Sequence, residues 1–461
     1  MLKRVGQEKI QPSIKISEAK FPAPFPSGLE YGAPARGTWN IVHVGMLIPK
    51  AHQIFVCAQG CLRGVVLTAA EMNASDRFST IAVRENNVLD GDMEDLIIDG
   101  VSDILERLPE YPPAILIYTS CIHHFMGSDL NYVYRVLREK YPQIQFTDCY
   151  MNPIMRKSGL TPDQTMRRQL YSLLKKDSES ICEKDIACSK KHSLNKKMRV
   201  HMAGSDFALD KNSELYQILS NSGYEICEVA SCETYEEYQN LSNCEYVITT
   251  FPAAKVAGEY LEKNFQQKHM YLPASFSYEK IEENLKLLQE LLPGLDNEKM
   301  MSIIEQKKAT CEEALKKAKE LIGETEIHID FTAFPFMLSL TKLLITHGFH
   351  VTRLYTDSFP GEEKLIFAWL QEHATDVEVY PTVHASMRVH PRKNDKKVLA
   401  IGQKAAYFCG TEYFVNVVEG GGFWGFESII RLAELMCEAY ETPKDTKGLI
   451  QIKGMGCGTC I

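Results

Sequence analysis

Short apolar runs alternate along this chain with longer stretches whose apolar positions recur every three or four residues. Gln53–Val56 and Ala114–Ser120 read as buried strands, and Leu130–Lys140 carries a helical pattern after the second. Met198–Ala203 and Tyr246–Thr250 predict further strands, with a helix over Ser213–Ser220 between them. Ile281–Gly323 predicts mostly helix, punctuated by Pro293-Gly294. A last group combines a strand at Glu326–Phe331, a helix near Met337–His347, a strand at Lys397–Ile401 and a helix at Glu427–Tyr440. Strand–helix alternation of this kind predicts an α/β fold of three Rossmann-like domains, with parallel sheets flanked by helices. Sites in such sheets gather at the carboxyl ends of the strands.

Two stretches break the pattern. Pro12, Pro22, Pro24, Pro26 and Pro34 crowd the first 35 residues, which read as an extended arm lying on the body of the protein or on a partner. Leu174–Lys197 is rich in Lys, Ser and Glu and reads as a linker. The expected organisation is an arm at 1–35 and α/β domains at 36–195, 196–323 and 324–461, the first ending in that linker and the last in a Cys-x-x-Cys tail.

The 51 Lys and Arg against 60 Asp and Glu leave a net charge of −9, which argues against nucleic acid as a partner. The basic cluster Lys190–Lys197 reads as a solvated loop. Apolar runs such as Ala114–Tyr118 are too short to span a bilayer, and Met1–Pro12 has no apolar core of a secretory signal. The expectation is a cytoplasmic protein without a membrane partner, whose 14 cysteines are reduced thiols.

Two local sequences carry candidate chemistry. Phe55-Val56-Cys57-Ala58-Gln59-Gly60-Cys61 and Tyr118-Thr119-Ser120-Cys121-Ile122-His123-His124 each place cysteine where a predicted strand gives way to a turn and helix. A tight turn through Ala58–Gly60 would aim both thiols of the Cys57-x3-Cys61 pair at one point, with Gly60 supplying the permissive backbone. Converging thiolates are soft ligands, suited to zinc or an iron–sulfur cluster and not to magnesium or calcium. Buried cysteines serve equally well as small inert hydrophobes. Adjacent helical residues point about 100° apart, so at most one of His123 and His124 faces such a site, and capping or packing is the readier role. Cys457 and Cys460 form a C-x-x-C pair, a redox disulfide, half a metal site or simply a frayed tail. Cys182, Cys188, Cys227, Cys232 and Cys244 read as structural or incidental. Gly204 and Gly402 follow predicted strands, but neither belongs to a G-x-G-x-x-G, and no G-x-x-x-x-G-K-[ST] occurs, so the chain is not expected to bind a dinucleotide or hydrolyse ATP by those devices.

At these residues the sequence resembles the nitrogenase component 1 superfamily, which includes nitrogenase α and β subunits, their cofactor-assembly paralogues and dark-operative tetrapyrrole reductases. Gln59-Gly60-Cys61 resembles that family's Gly-x-x-Gly-Cys ligand turn. Cys121 followed by Met126-Gly127-Ser128-Asp129-Leu130 resembles its Cys-x4-Ile-Gly-Asp-Asp segment. Tyr246–Phe265 and Gly420–Glu427 resemble a middle-domain strand and helix and a C-terminal Gly-rich turn. The resemblance implies a reductase subunit that holds an iron–sulfur cluster, a [4Fe-4S] or larger P-cluster-like group, through Cys61 and Cys121, with Cys57 as a third candidate ligand outside the family's motif. It also implies an ATP-dependent iron protein as electron donor, and a second component 1-like subunit or a second copy as structural partner. The same fold serves cofactor-assembly scaffolds and would serve a non-catalytic interaction subunit. No residue is assigned a catalytic role.

The departures are specific. The family's upstream cluster cysteine has no counterpart in Pro34–Trp39, and Cys57 is the candidate replacement. Thr250 and Trp424 stand where the family's iron–molybdenum cofactor has its cysteine and histidine ligands, so that cofactor is not expected in its usual site.

Overall fold

In a computed structural model of the protein, the described residues are 13–26, 31–33, 41–151, 159–176, 197–392 and 396–451. They contain three sheets. By packing, the chain divides into two compact units, one of Met1–Gly37, Leu209–Ile218 and Ala274–Lys453, the other of Thr38–Ala208, Leu219–Pro273 and Gly454–Ile461.

Strand β1 (Ile14–Lys15) belongs to the first of these units and is taken up below with its sheet. The second unit holds two four-stranded parallel sheets. One is built from β2 (His52–Ala58), β3 (Phe78–Val83), β4 (Ala114–Thr119) and β5 (Gln145–Tyr150), in the order β3-β2-β4-β5. Alternate residues of β2 face opposite cores. Ile54 and Val56 pack with Ile97, Val101 and Ile117, whereas Phe55 and Cys57 pack with Tyr118 and Cys149. The Phe55 and Tyr118 rings stack with centroids 4.0 Å apart, which ties neighbouring strands together at one level. Strands covered on both faces explain the near-continuous apolar runs.

The other sheet consists of β6 (Arg199–Met202), β7 (Glu225–Glu228), β8 (Tyr246–Thr249) and β9 (Lys268–Tyr271), in the order β7-β6-β8-β9. It shares a core with the first sheet through Ala203, Val229, Val247 and Leu261.

The remaining unit is built on β10 (Glu326–Asp330), β11 (Val351–Tyr355), β12 (Glu378–Tyr380), β13 (Val398–Ile401) and β14 (Phe414–Val415). Its order is β1-β12-β11-β10-β13-β14, and every pair is parallel except β1 with β12. Residues 14–15 of the Pro-rich arm thus blunt the edge that β12 would otherwise expose. Helices Met337–Thr346, Lys364–His373, Gln403–Cys409 and Gly425–Glu441 follow β10, β11, β13 and β14. Among the described residues, no helix is long and apolar enough to cross a membrane.

All three sheets share one topological feature. The chain adds a strand on one side of the first, then reverses and continues on the other. The crevice at such a reversal, outside the carboxyl ends of the two central strands, is where ligands bind in open α/β sheets. These crevices lie at β2/β4, β6/β8 and β10/β13.

Candidate functional site

The three predicted thiols meet at the first crevice. β2 runs to Ala58, and the helix Gln59–Glu71 begins at the next residue. Ala58 (φ −60°, ψ 147°) is still extended, so no separate turn lies between Cys57 and Cys61. The expected tight turn through Ala58–Gly60 is therefore corrected: Cys57 is a strand residue and Cys61 stands in the first turn of the helix. Gly60 needs no permissive backbone either. It is helical, and a Cβ there would meet nothing within 4 Å. β4 ends at Thr119, Ser120 is the extended N-cap, and Cys121 is the first residue of helix Cys121–Met126.

Exposure grades across the thiols: Cys57 is fully buried, Cys121 half-buried and Cys61 exposed. Burial first, and then the neighbouring sulfurs of Cys61 and Cys121, push the Cys57 thiol up to about 12. That influence puts Cys61 and Cys121 each within electrostatic reach of Cys57. A cation or cluster there would reverse the sign, since a coordinated thiol is deprotonated. Among the described residues, no group of three His, Cys, Asp or Glu is tight enough to hold a single metal ion. A polynuclear cluster takes one thiolate at each of several irons, so its ligands need not converge on a single point.

The two histidines separate as helical geometry requires. His123 is buried, its Nδ1 accepts the Ser120 N–H at 3.2 Å, and its Nε2 has no hydrogen-bond partner among the described residues. Burial lowers its pKa, against the opposing pull of the Ser120 backbone and the Glu94 charge. His124 instead lies edge-on to Phe125, which is exposed. The helix closes at Gly127 (φ 66°), where the Ser128 N–H reaches the His123 carbonyl at 3.0 Å. Asp129 then caps the next helix through the Tyr132 N–H, and its own N–H donates to Glu94 at 2.6 Å. The Gly127-Ser128-Asp129 segment thus works as a stop and a start.

The other two crevices hold buried charge that sequence reasoning missed. At the end of β6, the Arg167 guanidinium donates to the Gly204 carbonyl at 2.5 Å, to Asp206 at 2.6 Å and to Asp163 at 3.1 Å, and covers the Phe251 ring. At β10/β13, Asp330 accepts from the N–H groups of Thr332 and Ala405, both at 2.8 Å. Gly402 (φ +107°) has no room for a Cβ, which would lie 2.2 Å from Asp330 Oδ2. Lys404 is buried beside this carboxylate, donates to Thr382 at 3.1 Å and sits over the Phe331 ring. Burial lowers the ammonium and raises the Asp330 carboxyl. Gly204 and Gly402 were visible as glycines after strands; their charged neighbours were not. Trp424 is buried and precedes helix Gly425–Glu441. Cys182, Cys188, Cys457, Cys460 and the Pro34–Trp39 segment lie outside the described residues.

The nitrogenase component 1 type oxidoreductase family model matches residues 42–441. The chain belongs to this family. Its fold is similar to a solved structure titled nitrogenase Cp1 at pH 6.5, with a TM-score of 0.64 and 15% identity over 90% of this chain and 94% of that one. A second, nitrogenase Cp1 at pH 5, gives 0.56 and 12% over 93% and 94%. No curated protein matches the sequence.

Proposed function

We propose that this chain is the iron–sulfur subunit of a nitrogenase-like two-component reductase. Cys57, Cys61 and Cys121 would hold the cluster, the remaining ligand coming from a carboxylate or from a thiolate of a paired subunit. One observation carries the reading: three thiols from two adjacent strand ends share the reversal crevice of the first sheet. The cluster would supply one-electron chemistry at low potential, tuned by burial and by hydrogen bonds to its sulfurs. The chain's own task is to place the thiolates and limit water, and the buried core beneath Cys57 suits it to that. An ATP-dependent iron protein would deliver the electrons, consistent with the absence of a G-x-x-x-x-G-K-[ST] motif from this sequence. A second component 1-like chain, or another copy, would cover the exposed apolar side chains Val66, Phe125 and Met126 on the two helices that carry Cys61 and Cys121. A cytoplasmic setting, where thiols stay reduced, is part of the same proposal.

The test is iron and acid-labile sulfide per chain in protein purified without oxygen. Cys61→Ala and Cys121→Ala should lose iron, while Cys437→Ala, on a helix of the other unit, should keep it. Equal iron in all three would defeat the assignment. Steady-state turnover with the partner reductase then separates a reductase from a cofactor-assembly scaffold, which would bind iron and release no product.

A further inference from the structure

The unit that holds the six-stranded sheet carries a cavity of about 250 Å³ to which several helices contribute. Helix Tyr278–Leu291 supplies Tyr278 and Glu279, Asn297–Ile322 supplies Glu312, Met337–Thr346 supplies Lys342 and Leu343, and Lys364–His373 supplies Ile366. The apolar part of the lining is preset. Phe276 and Leu343 are buried, Ile366 is half-buried, and the Phe276 N–H donates to Ser339 Oγ at 3.3 Å. One polar part is already satisfied: the Tyr278 hydroxyl donates to one Glu312 oxygen at 2.8 Å, and His347 Nε2 lies 3.3 Å from the other.

Two charges of the lining remain, and they do not touch. Glu279 accepts the Ser277 hydroxyl at 2.6 Å, and Lys342 stands over the Trp369 ring, 5.1 Å from its centroid. Among the described residues, neither joins an ion pair. Each still feels the other. The Glu279 carboxyl is held below its ordinary value first by the Ser277 hydroxyl and its own backbone, then by the Lys342 and Lys308 charges. A ligand that spans this gap needs an anion for Lys342 and a cation for Glu279, close together on one small frame. A singly charged ligand would leave the other group stripped of water and unpaired.

We propose that this cavity binds a small zwitterion, an aliphatic α-amino acid, with its carboxylate on Lys342, its ammonium on Glu279 and its side chain against Phe276, Leu343 and Ile366. The size agrees. Drug-sized ligands occupy roughly 300–1,000 Å³, so about 250 Å³ admits one compact molecule and excludes a nucleotide. Tyr278 and His347 engage both Glu312 oxygens, which leaves Glu279 as the free carboxylate of the lining. The cavity belongs to the unit without Cys57, Cys61 and Cys121, so it stands whether or not those thiols hold a cluster.

Full-length protein is titrated calorimetrically with L-leucine, and with 4-methylpentanoate and isopentylamine, which keep its side chain and lack the ammonium or the carboxylate. Leucine should bind saturably, and each singly charged probe at least about tenfold more weakly. Lys342→Met and Glu279→Gln should keep the thermal midpoint and each weaken leucine by about the same factor. Glu290→Gln, on the helix of Glu279 but outside the cavity, should leave leucine binding unchanged. A leucine titration without saturable heat, equal affinity for the three probes, or leucine binding that survives both Lys342→Met and Glu279→Gln overturns the proposal. Iron content does not enter these readouts, so their failure is distinct from failure of the reductase assignment.

Discussion

Cys57 is the candidate ligand that the sequence pattern supports least directly, because it stands in for an upstream cysteine that Pro34–Trp39 does not supply. Its burial inside β2 costs a thiolate heavily unless iron compensates the charge. Cys57→Ser is expected to keep the fold and to change the EPR spectrum or lower the iron content. Were Cys57 only a packed strand residue, the hydroxyl would cost about 1–3 kcal/mol and leave the spectrum alone. Full iron with an unchanged spectrum therefore removes it from the site. His123 offers a second residue-scale test. Its unpartnered Nε2 and lowered pKa mean that His123→Gln should alter cluster properties only if the ring faces the thiols. Unchanged EPR with a loss of stability would assign it to capping of the Cys121 helix.

At the scale of elements, two helices of the unit holding the six-stranded sheet start without a side-chain cap of their own. Their first free N–H groups are met by carboxylates from distant parts of the chain. Leu338 and Ser339 donate to Glu363 at 3.1 and 2.7 Å, while Phe426 and Glu427 donate to Glu214, the latter at 3.2 Å. Burial outweighs these bonds and raises Glu214 to about 7 and Glu363 to about 8, from an ordinary 4.5. Folded carboxyls with raised pKa hold protons that the unfolded chain releases. Their contribution is full below pH 4.5 and is lost as pH rises through about 7 and about 8. Urea midpoints should therefore fall between pH 5 and 8, with Glu214 contributing on the order of 3 kcal/mol. Glu363→Gln should flatten the upper part of that profile, and an unaltered profile would refute the assignment. Gly425→Ala should destabilise by more than about 2 kcal/mol, since φ is +69° and the new Cβ would overlap the Glu214 carboxylate.

For the whole molecule, three thiols leave a four-iron cluster one ligand short, and the helices bearing two of them expose large apolar side chains. Sedimentation of iron-loaded protein should give a dimer or larger assembly. A stable monomer with full iron content would count against the proposed partnership. On the proposed function, reduction of the cluster should require an iron protein and ATP together; reduction by this chain and ATP alone would count against it.

Periodicity alone located the helix Leu130–Lys140 to the residue, and placed β2, β4, β6, β8, β10 and β13 within about two positions, because strands buried on both faces must be apolar throughout. Among the strands that the sequence reading did not single out are β3, β7, β11 and β12. These have three to six residues and are half-covered, so polar positions interrupt the pattern. Motif spacing picked out Cys57, Cys61 and Cys121, but not how they are presented. That follows from β2 passing straight into a helix beside β4, a matter of sheet order. Arg167 with Asp206, Asp330 with Ala405, and Glu363 with Ser339 are joined across 39, 75 and 24 positions. Nothing local marks such pairs. Burial shifts their pKa values, and burial exists only once the sheets have closed over them.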